Sequence, residues 1–168
     1  MRKWRQVLYI DQEFPPNDSS LGPSLAASGL VTWRRPTQFG CRSTTAFGGY
    51  GRPLPSDVRP CPFAADASLA CALAALAERP QVAANAFTAA SESGIFCARL
   101  CADGVWKEYI LDDFFPCLFS SYPERGGCSD GGGGGPCLSR AHGPALWVSM
   151  LEKAYARVAG SYSAALGG

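Results

Sequence analysis

The hydrophobic pattern of the chain is clearest in Asp66–Glu78, where it predicts an α-helix. Leu69, Leu73 and Leu76 recur at steps of three and four residues, which places them on one face of a helix. The positions between them are mostly Ala and Cys, so we expect close packing on all sides. The opening Asp is a suitable N-cap, and Pro80 ends the helix. We interpret this stretch as the central core helix of the fold.

A second amphipathic helix is predicted over residues 145–158, and a weaker helix over residues 81–90. Pro144 precedes the stronger helix and Gly160 follows it, which is the usual order of these two residues at helix ends. Its apolar stripe consists of Leu146, Met150, Leu151, Ala154 and Val158.

Residues 95–116 have the pattern of a β-hairpin. Ile95–Cys101 and Val105–Leu111 are strand-like runs, and the Asp-Gly pair between them is a strong signal for a tight turn. Asp112 and Asp113 end the second run. Because adjacent strand residues point to opposite faces, we expect no shared carboxylate site and interpret both acids as solvated. The proline that closes the range keeps the strand from continuing.

The other segments have little periodicity. Residues 1–40 are loop-rich, with a short strand or helix end at 8–10. Val31–Pro36 is interpreted as an extended segment with one anchoring Trp and two solvated arginines. Residues 126–137 form a glycine-rich insertion without the Lys-Ser/Thr ending of a phosphate loop. Helices and an antiparallel hairpin together predict an α+β fold.

Composition narrows the class of protein. The 168 residues are 47% hydrophobic and 17% charged, with a net charge of +1, as expected of a globular domain rather than a nucleic-acid-binding one. Neither an apolar run of about 18 residues nor a secretory signal is present in the sequence. We therefore expect a cytoplasmic protein without a transmembrane segment.

The eight cysteines are interpreted as reduced thiols, several of them buried as small hydrophobic residues. The alternative is a zinc site, for which Cys97 and Cys101 are four residues apart and Cys128, Cys137 and His142 are loosely clustered. The spacing does not repeat a Cys-x-x-Cys pair. His142 is the only histidine of the chain, and a lone loop histidine is usually solvated.

Asp57 is the only acid of the glycine- and proline-rich residues 41–65. It is expected either to cap a turn or to supply one oxygen ligand to a hard cation, which needs several more.

Four segments, in chain order, resemble the calpain family of calcium-dependent cysteine proteases. They are LYIDQEFPPNDSSL (8–21), VTWRRP (31–36), GVWKEYILDDFFP (104–116) and LWVSMLEKAYARVAGSYSAALGG (146–168). The resemblance implies a papain-like cysteine protease fold of two lobes. Residues 1–168 are then a partial catalytic domain, mainly the helical nucleophile-bearing lobe plus the start of the β-rich lobe.

This resemblance also identifies the departures that bear on catalysis. The family's nucleophile segment reads Q-G-x-L-G-D-C-W, and alignment of Asp66 with its Asp places Ala67 at the Cys and Ser68 at the Trp. The upstream Gln, which resembles an oxyanion donor, has no counterpart. In papain-like enzymes the His and Asn follow the Cys by about 130–150 residues. Here 168 − 67 = 101 residues remain, and His142 precedes the second helix.

The same resemblance bears on two other thiols, as substitute nucleophiles, and on one calcium ligand. Cys71 is expected to be buried one turn further into the helix, and Cys61 to lie in a loop with no base nearby. Asp57 matches a calcium-binding Asp of the family, but Ala145 stands where the second acid, a Glu, would be. The calcium site that the resemblance implies is therefore weakened.

The sequence thus predicts a catalytically inactive, calpain-like pseudoprotease that binds protein or peptide partners and self-associates through an unpaired lobe face. The first alternative is a calcium-dependent cysteine endopeptidase that forms part of a longer chain. The second alternative is a small zinc-stabilised domain.

Overall fold

The computed structural model describes residues 8–39, 46–47, 51–59, 67–91, 93–118, 140–141 and 145–167. Within these ranges both helices and antiparallel sheets occur, which confirms the α+β class. The helices are α1 (Asp18–Leu21), α2 (Pro23–Ala27), α3 (Ser68–Ala77), α4 (Pro80–Asn85), α5 (Trp147–Ala159) and α6 (Tyr162–Ala165). The strands are β1 (Val31–Arg34), β2 (Val58–Arg59), β3 (Phe87–Ser91), β4 (Ile95–Ala102), β5 (Val105–Asp112), β6 (Phe115–Leu118) and β7 (Arg140–Ala141). The glycine-rich residues 126–137 lie outside the described ranges.

Three antiparallel sheets are formed by these strands, in the orders β3-β4-β5, β1-β6 and β2-β7. The predicted hairpin is confirmed as β4 and β5, which pair from Ala102↔Val105 to Ile95↔Asp112. Asp103 and Gly104 between them both have positive φ, 53° and 77°, as a two-residue type I′ turn requires. This turn matches the right-handed twist of the strands and so fixes their register.

After β5 the chain bends and becomes extended again as β6, which pairs with β1. Pro116 lies within β6, opposite Trp33. The second strand of the hairpin does end before Pro116, as predicted, but this proline does not prevent a further strand. The extended conformation predicted for Val31–Pro36 is confirmed over Val31–Arg34.

Helix α3 is shorter than predicted at each end and is buried on one side only. Its first predicted residue, Asp66, lies outside the described ranges. Ala70, Leu73 and Ala77 are buried, whereas Cys71, Ala72 and Ala75 are exposed. The expectation of close packing on all sides was therefore wrong, and so was the expected burial of Cys71.

Only the first half of the helix predicted over 81–90 is helical. Helix α4 ends at Asn85, and β3 begins at Phe87 and pairs with β4. The alanine-rich sequence is compatible with a helix, but Phe87 and Thr88 also suit a strand, and pairing with β4 decides the outcome. The Phe87 ring meets that of Phe47 edge-on, with centroids 5.7 Å apart.

Helix α5 forms the main core together with the inner face of the β3–β5 sheet. Its fully buried residues include Trp147, Val148 and Ala154, and it ends at Gly160, whose φ of 92° is left-handed. Val158 is 38% exposed, so the predicted apolar stripe ends one turn earlier than expected.

The segment 1–40 contains more regular structure than was predicted, because α1, α2 and β1 all lie within it. The side chain of Asn17 caps α1 by accepting a hydrogen bond from the Ser19 N–H. Gly22 has a φ of 81° and lies against α6, where an added Cβ would be 2.7 Å from Ser161 Oγ. Only glycine fits at this contact.

In the part of the chain that the structure describes, we find no helix of a length and apolarity that would cross a bilayer.

Candidate functional site

Ala67 lies immediately before α3, at the N-cap position, and its side chain is exposed. Its methyl group makes no capping hydrogen bond, while its carbonyl accepts the Cys71 N–H at 2.9 Å. The start of the helix packs beside a 3-10 turn, Pro55–Asp57. A helix N-terminus of this kind would stabilise a thiolate or another anion. The methyl group of Ala67 has no atom that can ionise or attack.

Asp57 closes the 3-10 turn and is 5% exposed. Its Oδ2 accepts the Leu54 N–H at 2.9 Å and the Trp147 indole Nε1–H at 2.9 Å. The expectation that Asp57 caps a turn is confirmed. The second bond was not predicted, and it ties the turn in front of α3 to the first residue of α5.

The backbone N–H groups at the start of α5 are bonded by a backbone carbonyl and not by a capping side chain. The carbonyl of Ala46 accepts the N–H groups of Leu146 and Trp147 at 2.9 and 2.8 Å. Ala145 is 8% exposed and has no ligand atom in its side chain. Within the described residues, no group of three or more His, Cys, Asp and Glu side chains is placed to hold a metal ion. A ligand role for Asp57 stays a prediction.

The thiols differ in accessibility. Cys71 and Cys101 are exposed, whereas Cys117 is buried, and burial raises its pKa to about 12. Cys97 and Cys101 lie on one face of β4, and four residues of strand separate them by about 13 Å, which is too far to share one zinc ion. Cys61 lies outside the described ranges, as do Cys128, Cys137 and His142 of the zinc hypothesis.

A buried cluster of ion pairs between the end of β5 and α5 was not predicted from the sequence. The ammonium group of Lys153 bonds a carboxylate oxygen of Asp112, and the side chains of both residues are fully buried. The ammonium also donates to the carbonyls of Asp112 and Phe114, at 3.1 and 2.7 Å. Asp112 accepts the Asp11 N–H at 2.8 Å through its second oxygen. The prediction that Asp112 is solvated was therefore wrong.

A second part of the same cluster surrounds Arg35, which was expected to be solvated and is instead 7% exposed. Its guanidinium pairs with Asp113, donates to the Tyr9 carbonyl at 2.6 Å and lies 4.1 Å from the centre of the Phe114 ring. Asp113 is thus ion-paired and only partly exposed, rather than freely solvated as predicted. The two adjacent acids do have separate partners, so the expectation that they form no shared carboxylate site is confirmed.

Arg157 completes the cluster on the side of the N-terminal segment. Its guanidinium pairs with Asp11 at 2.9 Å and with Glu13, and donates to the Ile110 carbonyl. We call the cluster formed by Asp11, Arg35, Asp112, Asp113, Lys153 and Arg157 the ionic cluster. It joins the N-terminal segment, the residue that follows β1, the end of β5 and α5.

Burial and pairing act in opposite directions on the charges of the ionic cluster. Burial lowers the pKa of Lys153, against the attraction of Asp112, and it raises the pKa of Asp113, against the attraction of Arg35. Two features could have signalled the cluster: paired acids at the end of a strand, and a lysine beside the apolar stripe of a core helix.

Comparison with known proteins agrees with this architecture. Residues 9–168 match the calpain family of cysteine proteases. The chain belongs to this family, whose protease domain has a papain-like fold.

Among its relatives is calpain-type cysteine protease DEK1 of Arabidopsis thaliana, to which the chain is 33% identical over 179 residues. That alignment covers 95% of this chain and 7% of the plant protein. The chain is 30% identical over 168 residues to calpain-10 of Mus musculus, covering 92% of this chain and 22% of the mouse protein. It is 29% identical over 173 residues to the mouse calpain-1 catalytic subunit, with 96% and 22% covered. The chain spans less than a quarter of the length of each of these relatives.

Proposed function

We propose that this chain is a calpain-like protease module without peptidase activity, which acts by binding a protein or peptide partner. The observation that carries the proposal is Ala67 at the start of α3. In the segment that the chain resembles, a cysteine stands at this position. A helix N-terminus lowers the pKa of a thiol there, whereas an alanine leaves the site with no nucleophile.

Neither of the remaining thiols near α3 is a good replacement. Cys71 is exposed, but it lies four residues into the helix, about 6 Å further along the axis, away from the helix N-terminus. Cys61 would need a base and oxyanion donors for which the sequence offers no candidate. A thiol without these groups loses most of its catalytic advantage.

The proposal includes a domain assignment. Residues 1–168 correspond to part of a catalytic domain: the helical lobe that bears α3 and α5, and the start of the β-rich lobe. The cytoplasm is the expected location. The exposed, uncharged face of α3 at Cys71, Ala72 and Ala75 supports contact with another protein surface or self-association. Sedimentation of the purified chain over a range of concentrations measures the self-association.

The second candidate is a calcium-dependent cysteine endopeptidase in which this chain is one portion of a longer protein. The relatives favour it, because each is named as a calpain or a calpain-type protease and each is several times longer than this chain. Under this candidate the catalytic His and Asn are supplied outside residues 1–168. Ala67 argues against it, since the nucleophile would still be missing.

Cleavage of casein in the presence of calcium tests both candidates. We expect no cleavage by the unmodified chain, and the Ala67→Cys variant shows whether the nucleophile alone is missing. Activity in Ala67→Cys supports loss of a single group from an otherwise complete site. Absence of cleavage by both the unmodified chain and Ala67→Cys agrees with a module that lacks the rest of the catalytic site. Activity in the unmodified chain would overturn the proposal.

Labelling with a thiol-reactive peptide inhibitor provides a second test that does not depend on turnover. Cys101 is exposed on β4, far from α3 in sequence, and serves as an internal control for simple accessibility. We expect the inhibitor to label Cys71 no faster than Cys101. Stoichiometric and selective labelling of Cys61 or Cys71 would identify a substitute nucleophile and contradict the proposed inactivity.

A further inference from the structure

We propose that the Asp57–Trp147 hydrogen bond takes the place of a bound cation, and that it holds the turn in front of α3 to the start of α5 without calcium. The inference concerns the structural role of Asp57 and is independent of whether the chain is catalytically active. The calpain resemblance implies a calcium ion near Asp57, and the residues around Asp57 would have to supply its ligands.

The residues do not fit a calcium ion. Calcium takes six to eight oxygen ligands, and carboxylate charge sets much of its affinity. The carboxylate of Asp57 already has its Oδ2 in hydrogen bonds with two N–H groups, those of Leu54 and Trp147. A cation at this oxygen would have to displace both donors, whose positive ends point at the same lone pairs. Ala145 supplies no carboxylate, and no cluster of three metal-binding side chains occurs among the described residues.

The hydrogen bonds provide the connection that a cation would otherwise make. Leu54 and Asp57 close the 3-10 turn that packs beside α3. Trp147 is fully buried in the main core, so its indole N–H is a fixed donor. Its bond to Asp57 spans 90 residues of sequence and joins the 3-10 turn directly to the first residue of α5. A buried carboxylate needs such donors, because it cannot be solvated by water.

The thermal midpoint of the full chain, measured with calcium and with a chelator, tests the inference directly. We expect the two midpoints of the unmodified chain to agree within ~1 °C, because a ligand that does not bind the native state does not stabilise it. Calorimetric titration with calcium alone should show no binding heat. A calcium-dependent rise in the midpoint that Asp57→Ala abolishes would overturn the inference.

Two Trp→Phe variants isolate the hydrogen bond. Trp147→Phe removes the donor to Asp57, whereas Trp33→Phe removes a buried indole N–H that has no hydrogen-bond partner among the residues that the structure describes. We expect Trp147→Phe to lower the midpoint by about 3–8 °C more than Trp33→Phe does, with or without calcium. Equal shifts in the two variants would show that the bond contributes nothing.

Asp57→Asn provides a further test that does not depend on a severely destabilised variant. An amide oxygen can accept the same two hydrogen bonds but is a much poorer calcium ligand. The inference predicts that Asp57→Asn keeps most of the stability that Asp57→Ala loses. An Asn variant as unstable as the Ala variant would contradict it.

Discussion

The start of α3 and the ionic cluster differ in the side chains that they contain. At the start of α3, the position that the family resemblance assigns to chemistry is occupied by the exposed, unreactive Ala67. In the ionic cluster, Asp112 and Lys153 are fully buried, hydrogen-bonded and paired. The buried ion pair thus lies where two segments of the chain meet, the end of β5 and α5. The comparison supports the proposal made above, that the chain keeps the framework of a protease domain without its nucleophile.

Buried ion pairs add little net stability, because desolvation opposes their attraction, but removal of one partner is costly. The ammonium group of Lys153 donates to the carboxylate and carbonyl of Asp112, at the end of β5, and to the carbonyl of Phe114. The ionic cluster thus specifies which segments meet. The side chain of Ala67 at the start of α3 is exposed, and this difference sets the order of the effects predicted below.

Lys153→Met is expected to have the largest effect. Methionine keeps much of the side-chain volume but leaves the buried carboxylate of Asp112 without its cation, which costs about 3–5 kcal/mol of unfolding free energy. Urea unfolding measures the loss. Lys107→Met, at an exposed position of β5, is the matched control and should change stability by less than ~0.5 kcal/mol. Similar losses in both variants would show that the ionic cluster does not hold the fold together.

Gly94→Ala is expected to disturb the ionic cluster from its edge. An added Cβ would lie 2.5 Å from Arg35 Nη1 and 2.7 Å from Asp113 Oδ1. Gly104 has nearly the same φ, 77° against 74°, but nothing lies within 4 Å of its Cβ position. Gly104→Ala therefore measures backbone strain alone, and Gly94→Ala should cost about 1–3 kcal/mol more in urea unfolding. An equal cost would mean that the Arg35–Asp113 pair moves aside freely.

The buried thiol of Cys117 is expected to lower the free energy of unfolding at alkaline pH. Burial raises its pKa from 9.0 to about 12, so the folded thiol keeps its proton at a pH where the unfolded thiol ionises. Its contribution is complete below pH 9 and is lost as the pH rises towards 12. Between these limits the unmodified chain should lose up to ~1.4 kcal/mol per pH unit more than Cys117→Ala. Parallel pH profiles of unfolding free energy in the two proteins would exclude this contribution.

Ala67→Cys is expected to have the smallest effect on stability, less than ~0.5 kcal/mol, because the side chain is exposed. Urea unfolding and the thermal midpoint check this expectation. The variant used to test catalysis would then fold as the unmodified chain does. A larger loss would show that the start of α3 is as constrained as the ionic cluster and would remove the contrast between the two regions.

Local patterns were sufficient to predict much of the fold. The hairpin follows from two strand-like runs around Asp103-Gly104, and α5 from its apolar stripe, because each depends on residues close in sequence. The switch from α4 to β3 was missed, since Ala-rich sequence permits both structures and only pairing with β4 favours the strand.

The surroundings of the candidate site were harder to predict. The significance of Ala67 comes from the resemblance to a family and not from periodicity. The environments of Asp112 and Arg35 depend on segments 41 and 78 residues away, so a local pattern that suggests solvent exposure gave the wrong answer. The bond between Asp57 and Trp147 spans 90 residues and has no local signal at all.

The span of these contacts has a consequence for synthesis on the ribosome. Asp11 and Arg157 pair across 146 residues, and a ribosome that adds about 5–20 residues per second needs roughly 7–30 s to make the chain between them. During that time the N-terminal segment has no partner in α5, and its apolar residues, such as Phe14, are open to chaperones and to other nascent chains. The ion pair between the N-terminal segment and α5 therefore forms only after α5 has left the exit tunnel.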